Sequence, residues 1–351
     1  MKNRSSIRRA GLAVLLLTLN CPLANLFAQG NLTPPGAPAP TMITLSQIEP
    51  RTPISSLPYT ITNPGSYYLT ANLTGISGSD GIIIKTNDVT LDLKGFTLRG
   101  VPGSDNGINV LSPVRNIAIR NGVLEAWGTD GVNAYNGYGG VLEGLRVSNC
   151  SALGIYAGDN WTVETCFASG NTGQGIYVAN NSTIRDCTVK NNGNAGIVTS
   201  GINCVISSCE ASGSPGGFSL ASYCIIQDCA ASGNTNGILV LIACTIKNCN
   251  TCGNTSDGIY IVGNDCQVVG NTCSGNGKYG IEIYGNANRV DGNVVSDNTS
   301  YGINADNLNV TNCITRNLSA GAGYGGYPGN KDYAPIQSPT NSVASPWANF
   351  Q

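Results

Sequence analysis

The chain has 351 residues, 46 of them Gly, with 41% apolar and only 11% charged positions, and it contains no His. Without imidazole, Ser-His-Asp hydrolysis, Cys-His nucleophiles and His-ligated zinc are all excluded, which leaves carboxylates, Arg, Lys, Tyr and backbone to run any chemistry. A formal net charge of −2 and a mean hydropathy near zero argue against a basic nucleic-acid binder and against a transmembrane bundle.

Residues 1–28 place Lys2, Arg4, Arg8 and Arg9 before the apolar run Gly11 to Leu19 and then small residues up to Ala28. That order predicts a cleaved secretory signal peptide, with a run too short to span a bilayer. The expected location is secreted, periplasmic or at the cell surface, with no membrane insertion after removal. Losing those four cations leaves about 14 Lys+Arg against 20 Asp+Glu, a surface that seeks neither phosphate backbones nor anionic lipid, so no nucleic-acid partner is expected. Residues 29–40 read as a Pro-rich linker. Residues 41–79 predict an N-terminal cap, a short helix or turn followed by a strand around Ser66 to Ile76.

From residue 80 to 318 the chain repeats itself. A Gly followed by a large apolar, a variable and another apolar or small residue recurs at Gly81, Gly107, Gly131, Gly154, Gly175, Gly196, Gly217, Gly237, Gly258, Gly280 and Gly302. Each unit adds a second signature, as in Ser182 to Asn192 (STIRDCTVKNN), and ends in a Gly/Asn/Ser-rich turn. The units predict three short strands per lap and no amphipathic helix. One lap cannot bury its own apolar residues, whereas stacked laps enclose a continuous core, so the pattern predicts an all-β solenoid of about eleven coils. Residues 319–351 are expected to form a C-terminal cap in which Trp347 and Phe350 fold over the last coil, or else a recognition tail.

The uneven lap length distinguishes this repeat from a strict six-residue left-handed one. The chain resembles the right-handed parallel β-helix proteins, the pectin-lyase-like superfamily, over about residues 60 to 318. The resemblance implies a right-handed fold and a polysaccharide or cell-surface glycan as partner, and it transfers no catalytic motif. Polygalacturonase-like and alginate-epimerase-like members use His, which is absent here. Calcium-dependent lyase-like members use carboxylates on consecutive coils with an Arg or Lys base, and Glu143, Glu164 and Arg185 are the nearest approach to that set.

Aligned lap by lap, Cys166, Cys187, Cys209, Cys229 and Cys249 share one column, expected to continue as Asn271 and Asn293 and to return as Cys313. Cys204, Cys224, Cys244 and Cys266 form a second. Three readings stand: buried free thiols filling a bend, disulfides between laps, although a lap spacing of about 4.8 Å is long for a disulfide, or a metal site.

The variable residue after each repeat Gly-Ile points outward. That column contains Tyr156, Tyr177 and Tyr260, a strip suited to stacking sugar rings or simply a product of tyrosine's strand propensity. A second outward column carries Glu143, Glu164 and Arg185, then Lys247 and Asp291. It reads either as an acid, a base and an anion-binding group, or as a surface charge pair. Asp80, Asn106, Asp130 and Asp257 precede repeat glycines, where they serve as turn formers or, less simply, as calcium ligands. No other cofactor is implied. The residues thus predict an exported, non-catalytic glycan-binding or scaffolding rod, with a carboxylate-based polysaccharide lyase or hydrolase as the alternative.

Overall fold

The computed structural model describes residues 50–111, 113–305, 311–321, 323–326, 336–337 and 348–350. The expected signal peptide, the linker and Trp347 lie outside them. The described residues form two sheets, one of 13 strands and one of 25, and no helix. All strand pairs are parallel and join one lap to the next, as Ile155–Ala157 does with Ile176–Val178. Each regular lap contributes one strand to the first sheet and two to the second, for example Ile176–Val178, then Thr183–Arg185 and Thr188–Lys190.

The bends between these strands explain the repeat. In the lap starting at Gly175, Asn181, Asp186 and Asn191 have φ of 54°, 55° and 52°. Each is followed by a small buried side chain, Ser182, Cys187 and Asn192. A left-handed residue reverses the chain in one step, and Asn, Asp and Gly adopt it most cheaply. The next residue then points into the core, stacked on its counterpart in neighbouring laps. Ile155, Ile176, Ile197, Phe218, Ile238, Ile259, Ile281 and Ile303, each 0–1% exposed, form an apolar stack on the first sheet.

Bend side chains form three vertical ladders. The first runs through Cys166, Cys187, Cys209, Cys229 and Cys249 to Asn271, Asn293, Asn317 and Asn349. In it, Asn293 Oδ1 accepts from Asn271 N at 2.8 Å, while Asn293 Nδ2 donates to Val268 O and to Asn317 Oδ1, both at 2.9 Å. The second holds Ser182, Cys204, Cys224, Cys244 and Cys266, then Asn288 and Asn312, with Cys266 N donating to Asn288 Oδ1 at 2.8 Å. The third, Asn171, Asn192, Ser214, Asn234, Asn254, Asn276 and Asn298, falls in the turn that the sequence marks only as Gly/Asn/Ser-rich. Where the next lap supplies an Asn or Ser, its side-chain oxygen satisfies the buried bend N–H, as Asn271 Oδ1 does for Cys249 N at 2.8 Å.

Cys313 departs from the expected column. It is exposed and opens the strand Cys313–Thr315, paired with Arg289, whereas Asn317 takes the ladder position 24 residues after Asn293. The lap from Asn293 to Asn317 has 24 residues against 22 from Asn271 to Asn293, and the side chain there must accept from one lap and donate to another, which an amide does and a thiol does poorly.

None of the 13 described cysteines is in a disulfide, and all except Cys252 and Cys313 are buried. Their thiols face carbonyls: Cys204 Sγ lies 2.9 Å from Ala179 O and Cys187 Sγ 3.2 Å from Arg185 O. Burial pushes Cys150 up to about 11 and Cys273 up to about 12.

The first lap begins earlier than the Gly repeat. Thr52–Ile54, Tyr59–Ile61 and Gly65–Leu69 already pair in the solenoid register, so the described part of the cap, residues 50–79, is strand and turn rather than helix. At the other end Phe350 pairs with Leu318, and Asn349, fully buried, accepts from Asn317 N at 2.9 Å.

Candidate functional site

The first sheet carries the expected outward column unbroken. Lap-to-lap pairs join Ile83, Asn109, Asn133, Tyr156, Tyr177, Val198, Ser219, Leu239, Tyr260, Glu282 and Asn304. Tyr156 and Tyr177 meet edge to face, with centroids 5.1 Å apart. Tyr135, which the sequence reading missed, stacks on Tyr156 at 4.5 Å and 24°. Burial, then the neighbouring phenols, raises the pKa of Tyr156.

Tyr135 belongs to the turn between the strands Val132–Ala134 and Tyr138–Ser148. Trp161, almost fully buried, supports that turn from beneath by donating from Nε1 to Gly137 O at 3.1 Å. A Cβ on Gly137 would approach the Trp161 ring to 2.8 Å, so the close fit requires glycine. Above this floor lies a shallow open depression lined by Pro113, Tyr135, Asn136, Tyr138 and Asp159. Tyr135 and Tyr138 are 46% and 58% exposed. Asp159 Oδ1 accepts from Asn180 N at 2.9 Å and from Asn180 Nδ2 at 3.0 Å, which holds its carboxylate at the rim. The local signal for this depression was an aromatic just past the strand, at Tyr135 and Tyr138, outside the position where the repeat drew attention.

Tyr260 is also outward and meets Tyr284 edge to face at 5.6 Å. The next members of the column are not exposed. Glu282 is 3% and Asn304 2% exposed, beside Asp257 at 4%. Lys278 Nζ lies 3.1 and 3.2 Å from the two Glu282 oxygens. Burial raises the Glu282 pKa against the pull of Lys278, and the Asp257 charge adds to the rise. An outward position therefore does not guarantee solvent access, because long neighbours such as Lys278 lie over it.

On the second sheet, Glu143, Glu164 and Arg185 do occupy one column, preceded by Asp92 and Arg120 and followed by Ser207, Gln227, Lys247, Val269, Asp291 and Thr315. Arg185 is ion-paired with Glu164. Asp291, 1% exposed, is held by Arg289 and Arg316, and the Arg316 guanidinium keeps its carboxyl down at about 2. Tight bends, such as Thr165 with φ 51°, flank this column. Among the described residues no long turn rises beside it to make a cleft, and Glu164 and Asp291 neutralise cations along the column.

The acidic turn stack is also satisfied internally. Asp80 Oδ1 accepts from Asn106 N and Nδ2 at 2.9 and 2.8 Å, and Asp130 Oδ1 accepts from Leu153 N at 2.9 Å. Among the described residues, no three His, Cys, Asp or Glu side chains group closely enough to hold a metal ion. No described helix is long and apolar enough to cross a membrane.

Parallel three-strand laps, left-handed bends and stacked interior ladders define the β-solenoid class. Residues 62–211 and 198–318 match the family model "Right handed beta helix region", and the chain belongs to that family. A comparison with curated proteins gives no match. Among solved structures the chain is similar to the pre-mature bacteriophage phi29 gene product 12, with 12% identity, a TM-score of 0.55, and coverage of 77% of this chain and 48% of that one. It is also similar to the Azotobacter vinelandii mannuronan C-5 epimerase AlgE4 A-module, with 17% identity, a TM-score of 0.49, and coverage of 75% and 87%. Pectate lyase Pel9A gives 18% identity, a TM-score of 0.46, and coverage of 70% and 68%. At these identities the likeness concerns the fold alone.

Proposed function

We propose that this protein is an exported, non-catalytic β-helix that binds a glycan along its first sheet. The observation that carries the reading is the in-register pair Tyr156 and Tyr177, extended by Tyr135 stacked on Tyr156, beside an open depression rimmed by Asp159. Such a surface offers rigid apolar faces for sugar rings and polar edges for their hydroxyls. Export rests on the charged, apolar, small-residue order of residues 1–28. The test is retardation of the purified protein in gels containing polysaccharides, with Tyr156→Ala and Tyr177→Ala as variants. Retardation lost in the variants, with unfolding midpoints unchanged, supports the reading. Failure to be retarded by any glycan overturns it.

A second, catalytic reading is favoured by a different group from Glu143, Glu164 and Arg185. Asp257 and Glu282 bring two carboxyls together beside Lys278, and the raised Glu282 pKa suits a proton donor. Both carboxyls are buried, which is why binding is preferred here. Release of reducing or unsaturated ends from any polysaccharide, abolished by Glu282→Gln and not by Glu164→Gln, would establish the catalytic reading.

A further inference from the structure

The face that bears the tyrosine strip is free of charge over several consecutive laps. Residues 171–182, 192–203, 214–223 and 234–243, which form its strands and flanking turns, contain no Asp, Glu, Lys or Arg. Between Tyr177 and Tyr260 the outward column is Val198, Ser219 and Leu239, and the adjoining bend exposes Ile202, Tyr223, Leu241 and Ile242. At the ends of this stretch Asp130 is 6%, Asp257 4% and Glu282 3% exposed, whereas Asp159 at the Tyr156 end, and Asp265 and the Glu282-paired Lys278 at the Tyr260 end, reach solvent. From Tyr156 to Tyr260 the column climbs five laps, about 24 Å at ~4.8 Å per lap.

Recognition of a uronate or sulfated chain calls for Arg or Lys aimed at each anionic unit, and this face has none between its two aromatic ends. An anionic polymer laid here would lose hydration without gaining a partner. An uncharged polysaccharide loses nothing comparable, since its ring faces are apolar enough to lie on Tyr, Val and Leu and its hydroxyls bond to Ser, Asn and backbone groups. We infer that the ligand is a neutral glycan lying along the rod between the Tyr156 and Tyr260 ends. This rests on the glycan-binding reading and narrows it to one chemical class.

The experiment is affinity electrophoresis of the purified protein against a neutral β-glucan, xylan and galactomannan, with polygalacturonate and alginate as acidic counterparts, at low and high salt. The expected result is binding to at least one neutral chain, unchanged by salt, with no binding to the acidic ones. Leu239→Lys is expected to weaken neutral binding about tenfold, by placing a solvated charge in the path of the chain. A circular-dichroism melt confirms that the variant folds, and Ser219→Lys, at a half-buried position, serves if it does not. Salt-sensitive binding to acidic chains alone overturns this inference and leaves the glycan-binding reading standing. Binding to no glycan overturns both, as does concentration-dependent self-association abolished by Tyr156→Ala, which would make the face a contact between copies of the chain.

Discussion

The two sheets share one interior and differ in their coats. The second sheet is laced with ions: Arg51 and Asp92, Glu164 and Arg185, and Asp291 with Arg289 and Arg316. The first sheet buries its few carboxyls and presents Tyr, Val, Leu and Ser. Surface ion pairs contribute little to stability, but they keep an exposed sheet soluble and unattractive to partners. The uncharged face lacks that protection, and contiguous exposed apolar surface is the kind of place where interaction sites are found in proteins generally. The difference teaches where to look for function in a molecule whose interior is nearly the same on every side.

If the coats are decoration on a common core, the core must dominate stability. Asn293→Ala removes the acceptor of Asn271 N–H and the donor to Val268 O, and should destabilise the protein by about 3 kcal/mol in urea unfolding. A cost below about 1 kcal/mol would show that the ladder is not what closes the bends. The next effect is on binding: Tyr156→Ala should cut glycan affinity about tenfold while leaving the unfolding midpoint nearly unchanged. An equal loss from Arg185→Ala on the opposite coat would erase the contrast between the faces.

The charged coat has its own signature in acid. The folded-state pKa of Asp291 is depressed from 3.8 to about 2, so its contribution is present above pH 4 and is lost as pH falls from about 4 towards 2. Acid titration of stability should lose that segment in Asp291→Asn, and an unchanged profile would remove this group from the account. Thiol labelling separates surface from interior more finely. Cys313, and more slowly Cys252, should react with an aromatic disulfide reagent in the native protein, and the other described cysteines only on unfolding. The smallest effect is expected from Glu164→Gln, which should shift stability by under about 1 kcal/mol because half-exposed Arg185 remains solvated.

Most of the fold was legible because a solenoid writes its geometry as a period. The repeat glycines located every lap from Gly81 to Gly302, and the period predicted which residues of the first sheet stand in register from lap to lap, though not that Asn109, Glu282 and Asn304 are buried. What failed was whatever depends on lap length or on neighbours. Cys313 was misplaced because its lap is two residues longer than the one before it, and the laps before Gly81 and after Gly302 lack the repeat's signature. The third ladder was hidden because Asn in a turn looks like any turn former until its amide is seen bonded between laps. Of the site, Tyr156, Tyr177 and Tyr260 came from the period, whereas Tyr135 sits in an irregular turn. The burial of Glu282 comes from how Lys278 folds over it, which spacing alone does not reveal.

The left-handed bend residue and the inward side chain that follows it make each lap a self-contained module. A module's bend amides are answered only by the module stacked upon it, so trimming part of one would strip its neighbour of acceptors. Gaining or losing an entire circuit would leave every remaining junction intact. Such a molecule can be lengthened or shortened in whole increments, and the extent of its uncharged face can be tuned by gene duplication without redesigning the interior.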